Sequence, residues 1–153
     1  IIRLALKFSP VKTSAKPRRL MVNLSGIKVM VIDDSNTIRR SAEIFLAQAG
    51  CQVVLAEDGF DALAKIADHA PDLIFVDIMM PRLDGYQTCA LIKKNPRLKA
   101  TPVIMLSSKD GLFDRARGRL AGSDEYLTKP FTKESLLRSV ANYTNGRPAS
   151  TND

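Results

Sequence analysis

Two rhythms of hydrophobic residues alternate along this chain. The run at 27–32 (IKVMVI) is short, apolar and β-branched, and Asp33 and Asp34 close it. Ile38, Ala42, Phe45, Leu46 and Ala49 then fall at helical spacing, with Gly50 as a natural stop. Residues 52–55 predict a second strand. Residues 59–68 predict a helix with Leu63, Ile66 and Ala67 inward, ended before Pro71. The run 73–76 (LIFV) is a fully apolar strand that stops at Asp77. Asp84 is a candidate N-cap for a helix reaching about Lys94, ahead of Pro96. A fourth apolar strand covers 103–106 and ends at Ser107. The next helix, over about 111–120, carries Leu112, Phe113, Ala116 and Leu120 around Gly118. Residues 125–128 make a short fifth strand, and Thr132 caps a last helix that ends near Thr144.

Five β-α units with continuously apolar central strands predict an α/β fold. It is a doubly wound parallel sheet with helices on both faces and right-handed crossovers. Such sheets bind their ligands outside the carboxyl ends of the strands, near the point where strand order reverses. The residues at those ends are Asp33 and Asp34, Asp77, Ser107 and Lys129.

Composition removes several function classes. Apolar residues are 45% of the 153 and charged residues 25%, values of an ordinary globular domain. No apolar run approaches the roughly 18 residues of a membrane span. Cys51 and Cys89 form no CxxC pair and no framework of bridges, which suits a reducing cytoplasm. The net charge of +7 is uneven: residues 1–26 hold six of the 23 basic residues and none of the 16 acidic ones. That leaves 17 basic against 16 acidic residues in the body, so a DNA-binding body is not indicated. Residues 1–24 are a basic extension, expected to be upstream or cloning-derived sequence ahead of a native start at Met21. A basic arm for an anionic membrane or partner is the other reading.

The rim residues suggest a chemistry. Two unit charges 4 Å apart cost about 4 kcal/mol at an effective dielectric near 20, so three carboxylates on one rim repel strongly. A hard divalent cation relieves this, and Mg²⁺ suits a site with few carboxylates, several waters and a phosphate oxygen. A carboxylate can attack phosphorus to give an acyl phosphate, while a lysine and a hydroxyl bind the phosphoryl oxygens. Singly, each residue has a plainer explanation: Asp33-Asp34-Ser35 as a helix cap, Ser107 as a turn hydroxyl, Lys129 as a solvated charge. Together, at the ends of four strands in order, they describe phosphoryl transfer onto an aspartate.

The stretches VMVIDDS, AEDGFDAL, IFVDIMMPRLDGY, TPVIMLSS and GSDEYLTKPF, in that order, resemble the receiver domain of two-component response regulators. The resemblance covers about residues 27–145, and the receiver domain is set at 25–145, with 146–153 as a short tail. It implies a flavodoxin-like (βα)5 sheet of strand order 2-1-3-4-5. It also implies Asp77 as phosphoacceptor, and Asp33, Asp34, Asp77 and the backbone carbonyl of Met79 as the Mg²⁺ site. Lys129 becomes the phosphate-binding lysine, Ser107 the switch hydroxyl and Tyr126 the switch aromatic, with a cis bond before Pro130. Such a protein signals rather than turning over a substrate; its only activities are Mg²⁺-dependent self-phosphorylation and self-dephosphorylation.

Longer stretches, among them FVDIMMPRLDGYQTCALIK and VIMLSSKDGLFDRARGRLAGSDEYLTKPF, are similar to receivers of type IV pilus twitching-motility systems. This implies a chemotaxis-type histidine kinase as donor and pilus-assembly or pilus-motor components as targets. No nucleic acid and no membrane span are expected, and the location is cytoplasmic.

No output module is expected beyond the last helix, so the signal leaves through the surface of the fourth helix, fifth strand and fifth helix. The protein is expected to be a monomer, with a phosphorylation-dependent dimer open. Arg115, Arg117 and Arg119 read as a solvated basic face. The alternative is a receiver fragment of a larger DNA-binding transcriptional regulator. A haloacid-dehalogenase phosphatase would need DxDx[TV] where Asp77-Ile78-Met79 stand. A flavodoxin-like electron carrier would need a Ser/Thr-rich loop in place of Asp33-Asp34-Ser35-Asn36. His69 lacks metal-ligand partners and belongs on the surface. Cys51 and Cys89 are expected to be buried packing thiols. Met79 and Lys109, two residues beyond Asp77 and Ser107, are expected to flank the approach of water to the phosphoryl group and to slow hydrolysis.

Overall fold

The computed structural model describes residues 23–108 and 112–144. The basic extension through Val22, Lys109 and the tail from residue 145 lie outside the described residues. The elements are β1 (Lys28–Ile32), α1 (Asn36–Gln48), β2 (Gln52–Ala56), α2 (Gly59–Ile66), β3 (Leu73–Asp77), α3 (Gly85–Lys94), β4 (Val103–Ser107), α4 (Leu112–Ala121), β5 (Glu125–Thr128) and α5 (Lys133–Thr144). All strands are parallel, in the order β2-β1-β3-β4-β5. This is the flavodoxin-like (βα)5 sheet expected from the sequence.

The order explains the composition of the strands. β3 and β4 lie inside the sheet with a helical layer on each face, so every residue of both is buried. Successive side chains point to opposite faces and build two cores. Val29, Val31, Leu73, Phe75, Ile104 and Leu106 meet Ala42, Leu46, Leu136 and Val140 of α1 and α5. Met30, Ile32, Ile74, Val76 and Met105 meet Ala62, Ile66, Cys89 and Ile92 of α2 and α3. Phe75 is wholly buried, and truncating it to alanine would cost about 3–5 kcal/mol.

Short polar residues start the helices. Ser35 Oγ accepts from the Ile38 amide at 3.2 Å, and Asp58 Oδ1 from the Asp61 amide at 2.7 Å. Asp84 forms a reciprocal capping box with Gln87, and Thr132 Oγ1 accepts from the Ser135 amide at 3.0 Å. Both of these caps were expected. Cys51 and Cys89 are buried as expected, and His69 is half-buried.

Two helices differ from expectation. α2 ends at Ile66, so Ala67 faces solvent and Ala62 takes the inner position. In α4, Ala116 and Leu120 are exposed and Gly118 is the buried residue. A Cβ on Gly118 would stand 2.9 Å from Ser123 Oγ and 3.6 Å from Met105 Cγ, so the glycine allows the helix to lie close on β4. The side chains of Leu112 and Phe113 lie outside the described ones. Among the described residues, no helix is long and apolar enough to cross a membrane.

Candidate functional site

Strand register assembles the site. Ile32 pairs with both Ala56 and Val76, so Asp33 and Asp77 leave neighbouring strands at the same rim. Asp77 pairs with Leu106 and Ser107 with Thr128, which places Ser107 and Lys129 on that rim as well. The Lys129 amide donates to the Ser107 carbonyl at 2.6 Å, and the Lys129–Pro130 bond is cis, as the resemblance implied.

Asp33 is fully buried and held at several points. Its amide donates to the Ala56 carbonyl at 3.1 Å, and its Oδ1 accepts from the Ser35 amide at 2.9 Å. Its carbonyl accepts from Arg39 Nη1 at 2.6 Å. Asp77 is buried and Asp34 exposed. Asp33, Asp34 and Asp77 each offer a carboxylate oxygen within 4.8 Å of the other two. Lys129 Nζ lies 2.9 Å from Asp77 Oδ1 and 3.3 Å from Asp33 Oδ2.

The electrostatics follow from this crowding. Burial pushes the Asp77 carboxyl up; the Lys129 hydrogen bond pulls against it, and the Asp33 charge adds to the rise. Burial likewise raises Asp33 above the usual carboxylate range, against the Ser35 amide and Lys129. For Lys129 burial works downward, but the hydrogen bond to Asp77 and the charge of Asp33 outweigh it and hold the ammonium more firmly. Three carboxylates facing one lysine leave an all-oxygen, anionic cluster, which fits a hard cation such as Mg²⁺.

The other predicted residues lie around this cluster. Ser107 is buried at the end of β4. Tyr126 is half-buried on β5, and its hydroxyl is enclosed without a hydrogen-bond partner among the described residues. Met79, two residues past Asp77, has its side chain 75% exposed. The arginines of α4 are more than a solvated face. The Arg115 guanidinium lies 5.4 Å from the centre of the Tyr126 ring, and that of Arg117 lies 4.5 Å from the buried Tyr86 ring. The quadrupole of each ring attracts the cation, which ties α4 to β5 and to α3.

Two supporting features were missed in the sequence. One is Arg39, whose three-residue spacing from Asn36 is the only sequence hint; its Nη2 reaches Asn36 Oδ1 at 3.2 Å. The other is the contact of Arg82 with Asp58, 24 residues apart, which no local pattern announces.

A five-stranded parallel sheet that gathers two successive acids, a third acid, a hydroxyl and a lysine at one rim is the plan of a receiver. Residues 29–141 match the response regulator receiver domain, and the chain belongs to that family. It is 73% identical over 115 residues to the protein PilG of Pseudomonas aeruginosa, covering 75% of this chain and 85% of that protein. It is 39% identical over 111 residues to the response regulator MprA of a Mycobacterium species, covering 72% of this chain but only 47% of that protein. Among solved structures, the chemotaxis protein CheY4 of Vibrio cholerae matches with a TM-score of 0.75 at 32% identity, covering 76% of this chain and 98% of that one. The receiver domain of the Francisella response regulator 1452 matches with a TM-score of 0.72 at 35% identity, covering 78% and 98%.

Proposed function

We propose that Asp77 accepts a phosphoryl group from a chemotaxis-type histidine kinase in the cytoplasm, and that the chain then signals to type IV pilus machinery through α4, β5 and α5. The contact of Lys129 Nζ with Asp77 Oδ1 at 2.9 Å, inside the acidic cluster, carries this reading. An Asp77 oxygen attacks the phosphorus of the donor phosphohistidine. The P–N bond breaks, the imidazole keeps the electron pair, and Asp77 holds an acyl phosphate. Lys129 then bonds a phosphoryl oxygen, and Ser107 is drawn to another. Tyr126 follows the movement of Ser107 and shifts the α4–β5–α5 face between two arrangements. Asp33, Asp34, Asp77 and the Met79 carbonyl would hold Mg²⁺, which when bound neutralises charge on the phosphoryl oxygens.

The 73% identity to PilG over 85% of its length supports the pilus output. The second reading is the receiver part of a larger DNA-binding transcriptional regulator; what supports it is that the chain spans only about half the length of the response regulator MprA. The test combines labelling by a phosphorylated chemotaxis-type kinase with complementation of twitching in a strain lacking the gene. Wild type is labelled and restores twitching, and Asp77→Asn does neither. Labelling of Asp77→Asn overturns the phosphoacceptor. Twitching restored by Asp77→Asn overturns the dependence of the signal on phosphorylation, and failure of wild type to restore twitching overturns the pilus output.

A further inference from the structure

Arg82 is, among the described residues, the one non-glycine residue with a positive φ, 68°. The Leu83 amide donates to the Pro81 carbonyl at 2.7 Å, an i to i+2 bond that closes a γ-turn centred on Arg82. With a positive central φ this is the rarer, strained form of the turn. A side chain persists in this region only where its surroundings hold it there.

The surroundings are specific. Arg82 Nη2 lies 2.7 Å from Asp58 Oδ2, and the guanidinium carbon lies 5.2 Å from the centre of the Phe60 ring. Asp58 is itself fixed, because its Oδ1 caps α2 through the Asp61 amide. One carboxylate thus starts a helix with one oxygen and grips a strained turn with the other.

That turn lies in the loop between Asp77 and α3, and both ends of the loop are tied down. The Ile78 amide donates to the Leu106 carbonyl at 3.0 Å, and the Gly85 amide to the Ile78 carbonyl at 2.9 Å. Between them the segment that carries Met79 is held by the Met80 side chain, buried in the core, and by the turn at Arg82. We propose that Asp58 and Arg82 are positioning residues for the acidic site: their ion pair holds the γ-turn and thereby places the Met79 carbonyl toward the metal. This rests on the metal assignment made under Proposed function.

The informative variants separate positioning from stability. Asparagine caps helices as well as aspartate does, so Asp58→Asn keeps the α2 cap while removing the charge that grips Arg82. Ion pairs open to solvent contribute little to global stability; Arg82 is 64% exposed though Asp58 is only 17%, so the melting temperature should move by no more than a few degrees. Mg²⁺ affinity, measured by calorimetry on the full chain, should fall about tenfold, the lower end of the loss seen when an outer-shell partner is removed. In metal-free protein the amides of Leu83 and Gly85 should exchange several-fold faster. Arg82→Ala should behave in the same way. Arg82→Lys should recover most of the affinity, because the contact uses a single guanidinium nitrogen. Wild-type affinity and wild-type amide protection in Asp58→Asn would overturn the proposal. Should wild type and Asp33→Asn both fail to bind Mg²⁺, the metal assignment fails instead, and amide exchange alone decides whether the ion pair holds the turn.

Discussion

Gly85 lies so close to Asp77 that a Cβ at position 85 would run into the Asp77 carbonyl oxygen and stand 2.7 Å from the Ile78 Cα. These are backbone atoms and cannot swing aside. The first residue of α3 is therefore seated on the peptide group of the proposed phosphoacceptor. Gly85→Ala should force the helix back or twist the strand end, costing about 1–3 kcal/mol as overpacking does. Urea unfolding reads the first effect, and the initial rate of labelling by acetyl phosphate, expected to drop, reads the second. A variant with wild-type midpoint and rate would mean the contact is easily relieved.

Lys129 contacts both Asp33 and Asp77, with its side chain 17% exposed against 0% and 4% for the acids. Removing one partner of a buried pair strands the other charges, typically at about 3–5 kcal/mol. Lys129→Ala should lose about 3 kcal/mol, toward the lower end because water reaches this lysine. Added Mg²⁺ should recover part of that loss, since the cation takes over the neutralisation. Asp77→Asn, which removes one of the crowded carboxylates, should be no less stable than wild type without metal, yet take no label. Thermal melts with and without Mg²⁺ check all three. A Lys129→Ala variant as stable as wild type would show that the acids meet water instead. For labelling, Lys129→Ala should retain some but lose the conformational response.

Most of this fold is legible in the sequence because its central strands are buried on both faces. LIFV and VIML can be apolar at every position only inside a covered parallel sheet, and their ends deliver Asp77 and Ser107 to one rim. The cap at Asp84 is readable because an aspartate opens the helical run, and the structure adds Gln87 as the other half of a capping box. What stays hidden depends on contacts between distant residues or on a choice of face. Leu120 has the right spacing for a core position, but Gly118 permits a closer approach and takes the inner face. Arg117 reads as a surface charge until the fold brings Tyr86 beneath it. Arg82 is not a residue type that marks a left-handed turn, and only its partner Asp58 explains it.

Burial decides the chemistry of the cysteines. It pushes the thiols of Cys51 and Cys89 up to about 11 from 9.0. The thiolate is the reactive form, so at pH 8 its share falls from about a tenth to about a thousandth, and alkylation should slow roughly a hundredfold. Restricted access slows Cys89 further, because it is wholly buried, with Sγ donating to the Ala121 carbonyl at 3.5 Å. A raised thiol pKa means the unfolded chain loses these protons first. Their contribution to stability is thus intact below pH 9 and is lost as pH rises toward 11. Thiol labelling of native and urea-unfolded protein across pH 7–10 reads both effects. Native labelling within a few-fold of the unfolded rate at pH 8 would contradict the burial.

The lifetime of the acyl phosphate should depend on residue 79. Hydrolysis needs a water in line behind the phosphorus, and a polar side chain two residues past the phosphoacceptor can orient it. Met79 offers only a thioether, a weak acceptor. Its side chain is 75% exposed, so it stands largely in solvent and does not seal the approach with apolar bulk. The slow hydrolysis expected here would then come from the lack of a group that holds the water. Met79→Asn supplies an amide that can donate and accept, and should speed decay by about tenfold, a small share of what positioning a reactant can give. Lys109 lies outside the described residues; as a long cation it would pair with phosphoryl oxygens and shield them, so adding Lys109→Glu should shorten the lifetime further. Decay of phosphorylated protein in excess Mg²⁺, followed for wild type, Met79→Asn and the double variant, makes the comparison. If neither variant decays faster than wild type, water reaches the phosphorus without help from either side chain, and the lifetime is set elsewhere in the site.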